Sequence, residues 1–227
     1  MMAVSHFRIN IRFVLAVVFT LASLTLLGWG LWPYGRSVRT QTIRPSDMQL
    51  PASSAGAAAG IPETRLLKLE YPTTIRVKDA DVVRLTLDVA GQGGLAAGVI
   101  PNAYDDYTVL AEARLDMTGM GVLPLEAVSE PMQPGKSVVF LWNVRPAAEG
   151  DYPGTVWLFL HFVPKKGGAD MRVPLSAQGI EIGSNSFFGM VPGPVRWLGV
   201  VGIFISALLG LPYVAKVLGW LFTHLKR

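Results

Sequence analysis

The chain contains no cysteine. Disulfides, Cys-held iron–sulfur clusters and thiolate zinc sites are therefore excluded. Histidine is nearly as scarce, with only His6, His161 and His224 in 227 residues. His161 is the one histidine in the central part of the chain, so a His-based triad or a multi-His metal site lacks its parts. Charged residues make up only 16%, and no acidic residue precedes Asp47 or follows Glu181. Residues 33–194 hold all 16 Asp/Glu and 14 of the 20 Lys/Arg, a net charge of −2. The overall charge of +4 and the pI of 9.5 thus come from Arg8, Arg12, Arg196, Lys216, Lys226 and Arg227. A nucleic-acid-binding protein carries its basic stripe on the folded domain, so no nucleic-acid partner is expected.

What the chain does have is apolar sequence, 51% of it, and that sequence is concentrated. Residues 13–31 (FVLAVVFTLASLTLLGWGL) form an uncharged run. As a helix it spans roughly 28 Å, close to the hydrocarbon thickness of a bilayer. The run is longer than the roughly 7–15 apolar residues of a signal peptide. It exits through bulky aromatics rather than a small-residue cleavage site, so a retained anchor is expected. A second run, VRWLGVVGIFISALLGL at 195–211, precedes Pro212, where the helix either kinks or stops. In the second case the remainder would lie in the interface. Arg12, Trp29, Trp32, Trp197, Lys216 and Trp220 sit where interfacial residues are expected, since indole rings favour the headgroup level and lysine snorkels. Gly202, Ser206 and Gly210 recur every four residues and form a candidate helix-packing face, toward the first helix or another subunit.

Two spans place both termini on one side. Short basic flanks set orientation, whereas long loops translocate largely regardless of charge. The expectation is a two-pass protein of the bacterial cytoplasmic (inner) membrane, with cytoplasmic ends and an extracytoplasmic, periplasmic domain. Its divisions are a flank at 1–12, a transmembrane helix at 13–32 and a flexible Pro/Ala/Ser/Gly linker at 33–62. There follow a folded domain at 63–183, a hinge at 184–194, a second transmembrane helix at 195–215 and a basic tail at 216–227.

Within the domain the period is two. Val83, Leu85, Leu87 and Val89 alternate with Val82, Arg84, Thr86 and Asp88. Val109, Ala111, Ala113 and Leu115 share one face, as do Val138, Phe140, Trp142 and Val144. Residues 155–163 (TVWLFLHFV) are apolar on both faces, as in a central strand. Strands are also read at 64–69, 171–175 and 178–182, with turns at 91–94, 134–135, 153–154 and 167–168. About seven short strands predict an all-β antiparallel sandwich flanked by two transmembrane helices.

One stretch carries a resemblance. Residues 140–162, FLWNVRPAAEGDYPGTVWLFLHF, read W-x-V-x-P, a Gly-containing turn with Tyr, then a long apolar strand. This resembles the penultimate hairpin of immunoglobulin-like sandwiches. It is also similar to a set of uncharacterised bacterial two-helix membrane proteins that close a short extracytoplasmic β-domain this way. The resemblance implies an immunoglobulin-like fold with Tyr152 at a corner. Trp142, Tyr152 and Trp157 are its core candidates. Pro153 departs from the pattern and restricts Tyr152 to extended backbone.

Chemistry-bearing motifs are weak. His161 reads as a strand residue facing the other sheet surface or a neighbouring subunit rather than as a metal ligand or general base. Asp79/Asp81 read as a turn, and Asp105/Asp106 as a solvated loop short of the ligands calcium requires. The glycines of 91–98 lack the lysine of a phosphate-binding loop, and no G-x-S-x-G occurs. Tyr104, Tyr107 and Tyr152 suit buried positions with rim hydroxyls better than a ligand platform. The expectation is a non-catalytic accessory or scaffold subunit with no cofactor and no metal. It would bind the lipid bilayer and a partner protein, or itself through its helices. The alternative is an extracytoplasmic ligand-binding sensor that relays through a separate membrane partner.

Overall fold

The computed structural model describes residues 11–50, 59–90 and 102–224, with side chains through 211. Two compact units emerge, one from the chain ends and one from residues 34–185.

The helical unit contains α1 (Ile11–Leu31) and α3 (Pro192–His224). Pro192 and Pro194 occupy the first turn of α3, where a missing N–H costs nothing. The backbone stays helical past Pro212, so the expected second span and tail belong to one element. Both α1 and the Pro192–Leu211 part of α3 are long and apolar enough to cross a membrane, by length and composition. In α1 the hydroxyls of Thr20 and Thr25 donate to the carbonyls of Ala16 and Leu21, at 2.8 and 2.9 Å. The helix thus satisfies these two hydroxyls within itself.

The β unit is a sandwich of two five-stranded sheets. The first has the order β1 (Arg36–Ile43), β2 (Arg65–Pro72), β4 (Asp81–Val89), β8 (Val138–Pro146), β6 (Met120–Leu123). The second has the order β3 (Thr74–Arg76), β10 (Met171–Asn185), β9 (Gly150–Pro164), β5 (Tyr107–Met117), β7 (Val128–Pro131). Every pairing is antiparallel except β3 with β10. A short helix, α2 (Ala103–Asp106), precedes β5, and Asn102 caps it. The inward residues read from the alternation form the core: Val83, Leu85 and Leu87 of β4 face Leu158, Leu160 and Phe162 of β9 within one cluster. Trp142 is fully buried and stacks on Phe140, with ring centroids 6.1 Å apart. The Tyr152 hydroxyl donates to the Ala148 carbonyl at 2.8 Å and accepts from the Ala148 N–H at 3.2 Å. This closes the β8–β9 hairpin as a tyrosine corner does.

Several expectations need correction. The stretch 33–62 is not a linker throughout. Residues 36–43 form β1, paired along its whole length with β2, and Pro45–Met48 form a 3-10 turn. Ile43, Met48, Leu50 and Ile61 are buried in the sandwich core. Of the expected linker, residues 51–58 lie outside the described residues. The reason is that β1, RSVRTQTI, is an edge strand exposed on nearly every residue, so it shows no apolar period. The sandwich runs to Asn185, and six residues rather than eleven separate it from α3. The strands read at 171–175 and 178–182 are one strand with a bulge between Pro174 and Ser176. Pro153-Gly154 lies inside β9; the turn comes earlier, at 147–149. The 91–98 glycines lie outside the described residues.

Candidate functional site

The helix pair builds its contact from small residues. Ala16, Ser23 and Gly30 are the buried residues of α1, seven apart, and Val195, Gly199, Gly202 and Ser206 are buried on α3. A Cβ on Gly202 would fall 2.1 Å from the Ser23 hydroxyl oxygen, and one on Gly199 2.6 Å from Leu27 Cγ. The Arg196 Nε donates to the Gly30 carbonyl at 2.8 Å. These pairings run in opposite chain directions, so the helices are antiparallel. Gly202 and Ser206 lie on the face of α3 that packs against the first helix. Gly210 does not, since nothing lies within 4 Å of its would-be Cβ. It lines an apolar groove of about 460 Å³ with Phe13, Ala16, Val17 and Phe204. Gly199 belongs to the contact and was missed, because its spacing to Gly202 is three rather than four.

Of the expected interfacial residues, Trp29, Trp32 and Trp197 lie at the end of this pair where α1 finishes and α3 begins. Trp32 and Trp197 are exposed, and Trp29 packs on Phe187 with centroids 5.2 Å apart. Arg12 lies in the first turn of α1. The side chains of Lys216 and Trp220 lie outside the described residues.

On the sandwich, Trp157 is 38% exposed, which corrects its assignment to the core. The apolar run TVWLFLHFV gives no polar face to choose by. The structure buries Val156, Leu158, Leu160 and Phe162 and turns Trp157, Phe159 and His161 outward. Trp157 and Phe159 stack at 6.3 Å and 15°, and the Arg172 guanidinium lies 3.8 Å from the Phe159 centroid. Arg172 also pairs with Glu112 at 2.6 Å, and Arg114, opposite Trp157 in register, pairs with Asp116 at 2.6 Å. His161 faces the Asp170 carboxylate at 3.4 Å. The strand β7 pairs only with Leu110–Ala113, so beyond it β5 forms the sheet edge. There a groove of about 590 Å³ is lined by Arg114, Asp116, Met117, Leu125, Thr155 and Trp157. Among the described residues no three His, Asp or Glu side chains gather as a metal site would require.

The most buried charge is elsewhere. Arg65 has no exposed surface and donates to the carbonyls of Lys136 and Gln133, the second at 3.0 Å, and to the Glu63 carboxylate. Glu63 also accepts from the Tyr104 hydroxyl at 3.1 Å and the Gly135 N–H at 3.0 Å. Burial, opposed in part by Arg65, pushes the Tyr104 hydroxyl up to about 12. This network ties the β2 start, α2 and the turn before β8 together. Tyr107 meets Phe162 edge-on and Tyr152 is buried in the corner, so the three tyrosines form no platform. Asp79 lies in the turn before β4 and accepts from the Tyr34 hydroxyl at 2.5 Å, and Asp106 faces Lys166 at 3.8 Å.

No family model and no curated protein matches the sequence. Among solved structures, the chain is similar to a PapD-like (ASH) domain of human CEP192, at 12% identity over 60% of this chain and 98% of that one, with a TM-score of 0.30. It is similar to a chain of the complex between zinc 2-glycoprotein and prolactin inducible protein from human seminal plasma, at 9% identity over 50% and 88%, with a TM-score of 0.29. It is also similar to the CooA pilin subunit of enterotoxigenic Escherichia coli, at 8% identity over 51% and 92%, with a TM-score of 0.21. At such scores these likenesses carry no argument; the sandwich is read from its own sheets.

Proposed function

We propose that this protein is a non-catalytic, two-pass anchor that presents an immunoglobulin-like sandwich on the extracytoplasmic side of a bacterial inner membrane. There it serves as an accessory subunit of a membrane complex. The observation that carries the anchor is the surface of the helical unit. Leu21, Leu24, Phe204 and Leu208 are all more than half exposed, on elements with no acidic residue. In water such a surface is a liability, and in hydrocarbon it is the required one. The basic flanks support cytoplasmic termini.

The outward strip Trp157, Phe159 and Arg172 supports a partner protein as the sandwich's target. Tryptophan and arginine dominate interface hot spots, and this stack holds them rigid before contact. Since the chain has no native thiol, orientation is tested with single cysteines. An impermeant maleimide added outside whole cells should label Leu125→Cys and spare Ser5→Cys; the reverse pattern overturns the topology. The partner is tested by gentle extraction and quantitative mass spectrometry. A stoichiometric companion of the native chain should disappear with Trp157→Ala and Arg172→Ala and persist with Leu141→Ala. A companion indifferent to all three variants would place the interface elsewhere.

The groove beside Trp157 favours a second reading, in which the sandwich takes a small extracytoplasmic ligand and signals through a separate membrane protein. Native mass spectrometry of the extracted chain separates the two: a bound small molecule lost with Trp157→Ala supports the sensor.

A further inference from the structure

The segment joining the sandwich to α3 contains a tight turn with an unusual occupant. Phe187 and Met190 exchange two backbone hydrogen bonds, at 3.2 and 3.0 Å, enclosing Phe188 and Gly189. Both enclosed residues have positive φ, +50° and +77°. This is the pattern of a type I′ turn, whose first central position ordinarily holds asparagine, aspartate or glycine. The Gly189 N–H donates to the Ser186 hydroxyl at 2.9 Å and fixes the turn. A phenylalanine there is strained, and its ring is not buried in return: Phe188 is 91% exposed. Asparagine would serve the backbone better and expose nothing apolar.

Its surroundings are of one kind. Phe188 meets Phe187 edge-on at 5.0 Å, and Phe187 meets Trp29. Trp29 flanks Gly30, whose carbonyl is bound by Arg196, and Trp197 is the next residue of α3. The turn therefore lies beside Trp29, at the level where α1 finishes and α3 begins, the end that also carries Trp32 and Trp197. The exposed apolar surface of Leu198, Val201 and Leu24 follows within the next turns of the two helices. Arg196 is the charge this unit carries at that end, and a guanidinium suits lipid phosphates.

We infer that the 187–190 turn is a wedge for the membrane interface: the Phe188 ring lies at the boundary of headgroups and acyl chains and sets the depth of the helix pair. Aromatic rings prefer that level, and the surface is continuous with the one the lipid tails would cover. The inference rests on the anchor reading above, and the experiment separates the two. The full chain is reconstituted in vesicles of phosphatidylcholine and phosphatidylglycerol, with single cysteines Phe188→Cys, Leu208→Cys and Leu125→Cys carrying an environment-sensitive fluorophore. The label at 188 should be quenched by a nitroxide placed high on the acyl chain and several-fold less than the label at 125 by aqueous iodide. The label at 208 should respond to a deep nitroxide. A label at 208 in lipid with one at 188 as open to iodide as that at 125 overturns the wedge alone. Labels at both 208 and 188 in water overturn the anchor and the wedge together. As a check that needs no label at the turn, Phe188→Asn keeps the backbone and removes the ring. It should raise iodide access to a label at Leu198→Cys. Unchanged access there also counts against the wedge.

Discussion

Arg65 shows how one side chain can hold a loop end of the sandwich. Its charge is fully buried, and its hydrogen bonds reach the Glu63 carboxylate and two carbonyls of the turn before β8. Removing one partner of such a pair strands the other, at a cost of about 3–5 kcal/mol. Chemical denaturation of Arg65→Ala should show a loss of that size. The double variant Glu63→Gln with Arg65→Met should lose less, because no charge is left unpaired. The same cluster makes a pH prediction. The Tyr104 hydroxyl has its ordinary value of 10.0 in the unfolded chain and about 12 in the fold. Between those values the folded state holds the proton more tightly. The stabilising contribution is therefore complete below pH 10 and is lost as pH rises toward 12. Thermal melts across that window should show a decline that Tyr104→Phe lessens. None of this was legible beforehand. Glu63, Arg65 and Tyr104 are three ordinary polar residues in sequence, and only the fold, which brings the Tyr104 hydroxyl to Glu63 and Arg65, makes them one group.

At the scale of elements, the helix pair turns on which glycines are in contact. Gly202→Leu forces a branched side chain into the Ser23 position, where even a Cβ lies 2.1 Å from the hydroxyl. Gly210→Leu points into a groove with nothing within 4 Å. A disulfide trap between Leu27→Cys and Gly199→Cys reads the pairing: it should form in an otherwise native chain, fail with Gly202→Leu and persist with Gly210→Leu. The small-residue spacing announced a packing face but not its extent. A four-residue spacing drifts around a helix of 3.6 residues per turn, so the contact follows 195, 199, 202 and 206 instead. Strands with one wet face were legible for the opposite reason. In β4, β5 and β8 every second residue is buried, and that alternation is written directly in Val83, Leu85, Leu87 and their counterparts. The central strand β9 is apolar on both faces, so sequence alone could not tell that Trp157 faces out.

For the whole molecule the decisive segment is the one whose composition hid it. Residues 36–61 supply an edge strand and four plugs of the core, Ile43, Met48, Leu50 and Ile61, all buried to 4% exposure or less. Each such side chain contributes about 1.5–3 kcal/mol by its burial. Four of them together approach the total stability of an ordinary domain, about 5–15 kcal/mol. The core cluster draws every member from within 43–182. A fragment spanning 34–185 should therefore fold without the helices and melt in one cooperative transition. A fragment spanning 63–185, starting where the Ala/Ser/Gly stretch suggests a boundary, should fail. It would open the apolar holes left by those four residues and bare the β2 edge, where unpaired N–H and C=O groups recruit other chains. Circular dichroism and sedimentation of the two fragments decide the matter. If the shorter one is monomeric and melts at the same temperature as the longer, β1 and its buried successors are ornaments on the sandwich rather than part of it.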